Sequence, residues 1–135
     1  MKLIFQYNDL IQRNRTELLS ETGELCYWGI YDFAFKYRTR IFDKDDIEAA
    51  FVEKDITAEK DCVLFYDAAG ERSDALIRED GRLILEKEGL IFEGDLQSGK
   101  IEGLMKVCEG VLEVEDEKDV IKAAQVLFSL VEIDR

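Results

Sequence analysis

The 135-residue sequence predicts a mainly β fold, an antiparallel sandwich or barrel wrapped around one helix near its C-terminus. Through residue 115, apolar residues recur mostly at every second position, the period of a strand with one buried face. Short polar breaks containing Gly or Asp separate the apolar runs, as tight turns require. After residue 115 the period changes and a helix that is apolar nearly all round follows.

The first strands are read at "KLIFQY" (2–7), "TELLS" (16–20) and "LCYWGIY" (25–31). The next stretch, "FAFKYRTRIF" (33–42), alternates most regularly. Phe33, Phe35, Tyr37, Thr39 and Ile41 share one face; Ala34, Lys36, Arg38, Arg40 and Phe42 share the other. The pattern predicts one half-buried strand, aromatic face inward and cationic face outward. Further strands are read at "CVLFYD" (62–67), "RLILE" (82–86), "GLIFEG" (89–94), "GLMKV" (103–107) and "VLEVE" (111–115). The breaks are "ETGE" (21–24), "DKDD" (43–46), "DAAGE" (67–71), "REDGR" (78–82) and "DLQSGK" (95–100). "LLSETGELCYW", "RIFDKDDIEAAF" and "LFYDAAGERSDAL" each run strand, acidic turn, strand, which recurrent hairpin chemistry explains.

Residues 115–135, "EDEKDVIKAAQVLFSLVEIDR", form the helix. Asp116 or Asp119 can cap it, and acids fill its first turn, where the helix dipole favours them. Lys122, Gln125 and Ser129 interrupt its apolar surface as one narrow stripe. Such a helix is buried on most sides, so a sheet wrapped around it is the expected partner.

The length suits one domain spanning 1–135. With 47% apolar and 36% charged residues the chain folds rather than staying disordered. Its apolar runs fall far short of the roughly 20 residues a membrane-spanning helix needs. "MKLIFQYNDL" turns polar too soon for a signal peptide, so a cytoplasmic location is expected. The net charge is −13, unevenly spread. Residues 1–41 hold six Lys/Arg and five acids, a net of +1, leaving −14 for the rest. That acidity opposes direct binding to nucleic acid or to anionic membrane.

Within this field Lys36, Arg38 and Arg40 stand out. On one strand face they lie about 6.6 Å apart per step. They can hold a phosphorylated head group, Arg offering bidentate geometry. Equally, they can form a solvated face paired with acids on neighbouring strands.

"GDLQSGKI" (94–101) approaches a phosphate loop, but Ile101 stands where the metal-binding hydroxyl belongs and strand-like sequence follows, so it reads as a hairpin turn. Asp43, Asp45 and Asp46 begin like a calcium loop that lacks its Gly and final Glu. Cys26, Cys62 and Cys108 are scattered, with no CxxC pair and no histidine, and read as reduced, partly buried thiols rather than zinc ligands. Without histidine, Ser-His and Cys-His catalysis are excluded, and only Lys- or Asp-based chemistry stays open. No catalytic residue, metal or cofactor is expected.

"ELCYWGIYDFAFKYRTRIFDKDDIEAAFVEKDI" (24–56) and "VLEVEDEKDVIKAAQVLFSLVEIDR" (111–135) together resemble the LURP-one-related family. That family belongs to the tubby C-terminal-like group, with the phospholipid scramblases. The ending Glu132-Ile133-Asp134-Arg135 is similar to the family's Ala-Ile-Asp-Arg pattern. The resemblance implies a closed antiparallel barrel of about twelve strands around a buried hydrophobic helix. It also implies a lipid-related role, since tubby domains bind phosphoinositides through basic residues.

The expected function is therefore a non-catalytic binding module for a phosphorylated or lipidic molecule, held near Lys36, Arg38 and Arg40. The alternative is an acidic protein-interaction module that neutralises a basic partner, as immunity proteins and nucleic-acid mimics do, with its charge in residues 42–135.

Overall fold

Alternation along twelve short strands decides which residues fill the interior. The structure, a computed structural model, describes residues 1–34 and 37–135. Its strands are β1 (Lys2–Ile4), β2 (Thr16–Leu19), β3 (Leu25–Asp32), β4 (Arg38–Asp43), β5 (Glu48–Lys54), β6 (Cys62–Asp67), β7 (Arg72–Glu79), β8 (Arg82–Leu85), β9 (Leu90–Gly94), β10 (Ser98–Ile101), β11 (Met105–Cys108) and β12 (Val111–Val114). Each pairs antiparallel with its neighbours in sequence, and β1 pairs with β12 to close a barrel. Leu3, Leu18, Ile41, Val52, Phe65, Leu85, Val107 and Leu112 point inward and have no exposed surface.

About eight strands enclose a space that side chains alone can fill; twelve enclose more. The surplus is taken by α2 (Val120–Glu132), which follows a 3₁₀ turn at Glu117–Asp119. Ten of its thirteen residues are buried. It packs most closely against β5, with β6 and β12 beside it. The Asp116 carboxylate accepts from the Lys118 N–H at 3.1 Å and starts the 3₁₀ turn, whereas Asp119 makes no side-chain cap. Two of the three residues of the polar stripe, Gln125 and Ser129, are buried, and Lys122 is half-buried. Gln125 is 3% exposed and its Nε2 donates to the carbonyls of Tyr66 (3.0 Å) and Phe51 (3.4 Å), which sets the rotation of α2 against β5 and β6. Among the described residues no helix is long and apolar enough to cross a membrane.

Three local expectations change. The strand read at 33–42 is interrupted: β3 ends at Asp32 and β4 begins at Arg38. Phe33 is 78% exposed rather than inward, and Tyr37 sits at φ +70°. The Asp32 carboxylate accepts from the Ala34 N–H at 3.0 Å, a side-chain turn that does not need the usual Gly or Pro signal. The predicted alternation holds from Arg38 onward, with Thr39 and Ile41 inward. Phe35 and Lys36 lie outside the described residues. Second, β10 falls inside the predicted break 95–100; Asp95 compresses the turn by accepting from the N–H groups of Gln97 and Ser98. "GDLQSGKI" is accordingly a β9–β10 hairpin. Third, the β1–β2 connection carries α1 (Tyr7–Ile11), which buries Leu10; a single helical turn has no repeat to read.

Because successive strands alternate in direction, the connections alternate between two ends. α2 enters the barrel at the end holding the β2–β3, β4–β5, β6–β7, β8–β9 and β10–β11 turns. It leaves at the end holding α1 and the β3–β4, β5–β6, β7–β8, β9–β10 and β11–β12 turns.

Candidate functional site

The outer face of β3, β4 and β5 is where two of the three expected cations stand. Arg38 and Arg40 lie on β4 and point outward, flanked by strands that bring acids beside them. Arg38 Nη2 lies 3.2 Å from Glu53 Oε1. Arg40 Nη2 lies 2.5 Å from Glu48 Oε2, and its Nη1 3.6 Å from Asp32. The hydrogen bond to Glu48 holds the Arg40 pKa above its ordinary value. Each guanidinium also covers an aromatic ring, Arg38 over Phe51 at 4.2 Å and Arg40 over Phe42 at 5.2 Å. This explains Arg38 and Arg40 locally: the arginines cover outward rings and pair across strands. A phosphate arriving here competes with Glu53 and Glu48.

A concavity lies where α2 leaves the barrel. A cleft of about 850 Å³ is lined by Tyr7 and Ile11 of α1, Arg78, Leu83 and Phe92 of the wall, the turn at 95–97, and Leu130, Val131 and Ile133. That volume is within the roughly 300–1,000 Å³ usual for small-molecule sites. Leu83, Phe92, Leu130 and Val131 give it carbon, while Asp95, Gln97, Asp134 and Arg135 make the rest of its lining polar. Arg78 is its anchored cation, with Nη1 2.7 Å from Asp61 and Nη2 2.6 Å from Asp134. Those two carboxylates hold the Arg78 pKa above its ordinary value, the hydrogen bond to Asp134 contributing most. The Asp134 side chain is 67% exposed, the Arg78 side chain 33%.

Around the same end, side chains tie the α2 C-terminus to the wall. Arg13 makes a bidentate pair with Glu132, at 2.7 and 2.9 Å, and stacks on Tyr31 at 4.2 Å. Glu132 is 1% exposed, and burial pushes its carboxyl pKa up while Arg13 pulls it partly back. The Lys54 ammonium donates to the carbonyls of Ile133 (2.9 Å) and Arg135.

Sequence reading missed the cleft because its parts come from residues 7 to 135 and meet only through barrel closure. Arg78 stood in a stretch read as a polar break, and nothing local tied it to Leu130 or Phe92.

Charge separates between the ends. The connections at the α2-entry end, through the 115–119 segment, hold twelve carboxylates and three lysines, a net of −9. Those at the exit end, with residues 133–135, hold eight carboxylates and four cations among the described residues, a net of −4. Among the described residues no group of three metal-ligating side chains is close enough to hold an ion.

No protein-family model, no curated protein and no solved structure matches the chain.

Proposed function

We propose that the chain is a non-catalytic binding module that takes a lipid-like molecule with an anionic head into the cleft where α2 leaves the barrel. The observation that carries this is the meeting of four apolar side chains (Leu83, Phe92, Leu130 and Val131) with the guanidinium of Arg78 in one open volume of mixed polarity. The apolar body removes carbon surface from water. The head displaces the exposed Asp134 from Arg78 and forms a charge-assisted pair in its place. A barrel around a hydrophobic helix is also the architecture implied by the resemblance to the LURP-one-related family, to which we propose the chain belongs.

The test is displacement of an environment-sensitive fluorescent fatty acid, alongside a neutral alcohol of equal length. The fatty acid should bind, and Arg78→Gln should weaken it about tenfold while changing the alcohol little, as loss of a charged hydrogen bond predicts. Absence of probe binding to the wild type would remove the lipid reading.

A second reading, a module that neutralises a basic partner, is favoured by the net charge of −9 at the α2-entry end. Poly-lysine is the probe. Changing Glu21, Asp45, Glu71, Glu102 and Glu115 to Gln should reduce its binding more than neutralising five carboxylates at the exit end, and added salt should weaken it in both. Equal effects at the two ends would discard this reading.

A further inference from the structure

Arg78 stands on the inward face of the barrel. It follows the fully buried Leu76 by two residues on β7, and it shares one register row with Leu83 and Phe92. A cation placed there needs a counter-charge. Two carboxylates supply it, and they are held differently. Asp61 is fixed by the wall: its carbonyl accepts from the Arg78 N–H at 2.9 Å, and its carboxylate lies 2.7 Å from Nη1. Asp134 arrives from the interior instead. It is the first residue past Ile133, which is 1% exposed and is the last buried anchor of the α2 segment. The next residue reaches the other way, with Arg135 Nη2 donating to the Ile11 carbonyl of α1 at 2.8 Å. α1 joins β1 to β2, and β7 stands six strands from β1 in the closed ring of twelve. Asp134 and Arg135 therefore reach opposite sides of the mouth, and both line the cleft.

We infer, resting on the function proposed above for this cleft, that Asp134 is a built-in occupant of the anion site and that residues 134–135 form a strap which an incoming head must lift. Asp134 is the carboxylate that yields, because the backbone pairing of β6 with β7 holds Asp61 in place. The strap decides which anions succeed. A tethered carboxylate competes at an effective concentration on the order of millimolar. A small free anion has only its charge to set against that, and one exposed ion pair yields little. A molecule with an apolar body adds burial against Leu83, Phe92 and Leu130, which Asp134 does not match. The cleft is thereby selective for amphiphiles over small anions.

Two measurements on the full chain test this, one with lipid-like probes and one without. The first is binding of the fluorescent fatty acid and of the neutral alcohol of equal length to the wild type, Asp134→Asn and Asp80→Asn. In Asp134→Asn the acid no longer exchanges one ion pair for another, so it should bind about fivefold more tightly, with the alcohol little changed. Asp80→Asn removes an equal charge from the β7–β8 turn at the same end, at a φ of +52° that asparagine accepts, and should change neither. The second is a titration with inorganic phosphate, read on the Arg78 side-chain N–H resonance. That resonance should respond at several-fold lower phosphate in Asp134→Asn than in the wild type.

Unchanged unfolding midpoints establish that both variants are folded. A fatty acid bound equally by the wild type and Asp134→Asn, or tightened as much by Asp80→Asn, would overturn the strap and leave the lipid reading standing. Absence of probe binding to the wild type would remove the lipid reading, and the phosphate titration would still decide the strap. The same response of the Arg78 resonance in the wild type and Asp134→Asn would overturn it.

Discussion

Gly29 of β3 and Phe128 of α2 compete for one space: a Cβ built on Gly29 would lie 2.3 Å from the Cζ of the Phe128 ring. The glycine is there for room, since the ring lies against bare backbone. In register beside it are Ile41 and Ala50, so the wall is thinnest on one side of the helix and thickens across β4.

Gly29→Ala therefore overpacks the interior. The ring is 4% exposed and has little space to retreat, so a loss of about 1–3 kcal/mol is expected. Phe128→Leu alone leaves a void and costs about 1 kcal/mol or more. The double variant should be more stable than the sum of the two losses, because the smaller side chain admits the methyl. Urea unfolding midpoints of the four proteins make the comparison, and strict additivity would show that the two residues do not share the space.

Arg13 and Glu132 tie α1's connection to the last turn of α2. Removing the cation with Arg13→Met leaves a buried carboxylate unpaired, at a cost of about 3 kcal/mol near neutral pH. The sign of the pH effect follows from the carboxyl. Its folded pKa lies above the ordinary value because of burial, so the folded state holds the proton more tightly than the unfolded chain does. This contribution is fully present below the ordinary carboxyl pKa and is lost as pH rises through the raised one. The stability of the wild type relative to Glu132→Gln should therefore fall as pH rises from about 4 toward neutrality. In Arg13→Met the fall should be larger and extend to higher pH. Unfolding midpoints across that range decide it; a flat difference would mean that Glu132 titrates alike in both states.

The strands were legible because their period is local. Thr39 and Ile41 point inward as the alternation predicts, and α2 is buried as its apolar surface predicts. What escaped depended on side chains satisfying backbone groups. Asp32 turns the chain at Ala34, inside a stretch whose alternation runs unbroken and which holds no glycine. Closure of the barrel is less legible still, because β1 meets β12 across more than a hundred residues and no local pattern encodes that pairing. The outward aromatics show a further limit. Alternation places Phe42 on the same face as Arg40, but the stacking of Trp28 on Phe42 requires knowing which strands are neighbours and in what register.

The three cysteines should separate by reactivity. Cys108 is exposed, Cys26 half-buried and Cys62 buried. The thiolate is the reactive form, and burial raises the Cys62 pKa, so both access and ionisation protect it. Alkylation by iodoacetamide followed by peptide mass mapping should modify Cys108 first and Cys62 last, on the order of a hundredfold more slowly in the folded protein. In urea the three rates should converge. Modification of Cys62 together with Cys108 under native conditions would contradict the packing of β6 against the interior.

Gln125 and Ser129, one turn apart on α2, should respond in opposite directions. Gln125 is buried and donates to the carbonyls of Tyr66 and Phe51, so Gln125→Leu deletes both bonds and is expected to cost about 1–3 kcal/mol. Ser129 is also fully buried, but its hydroxyl has no hydrogen-bond partner among the described residues. Ser129→Ala removes a desolvated polar atom, and alanine is the better helix former. It should be neutral or stabilising by up to about 1 kcal/mol. Urea midpoints of the two variants give the comparison. Destabilisation by Ser129→Ala comparable to that of Gln125→Leu would show that the hydroxyl is bonded in solution, most directly through a water held between α2 and the wall.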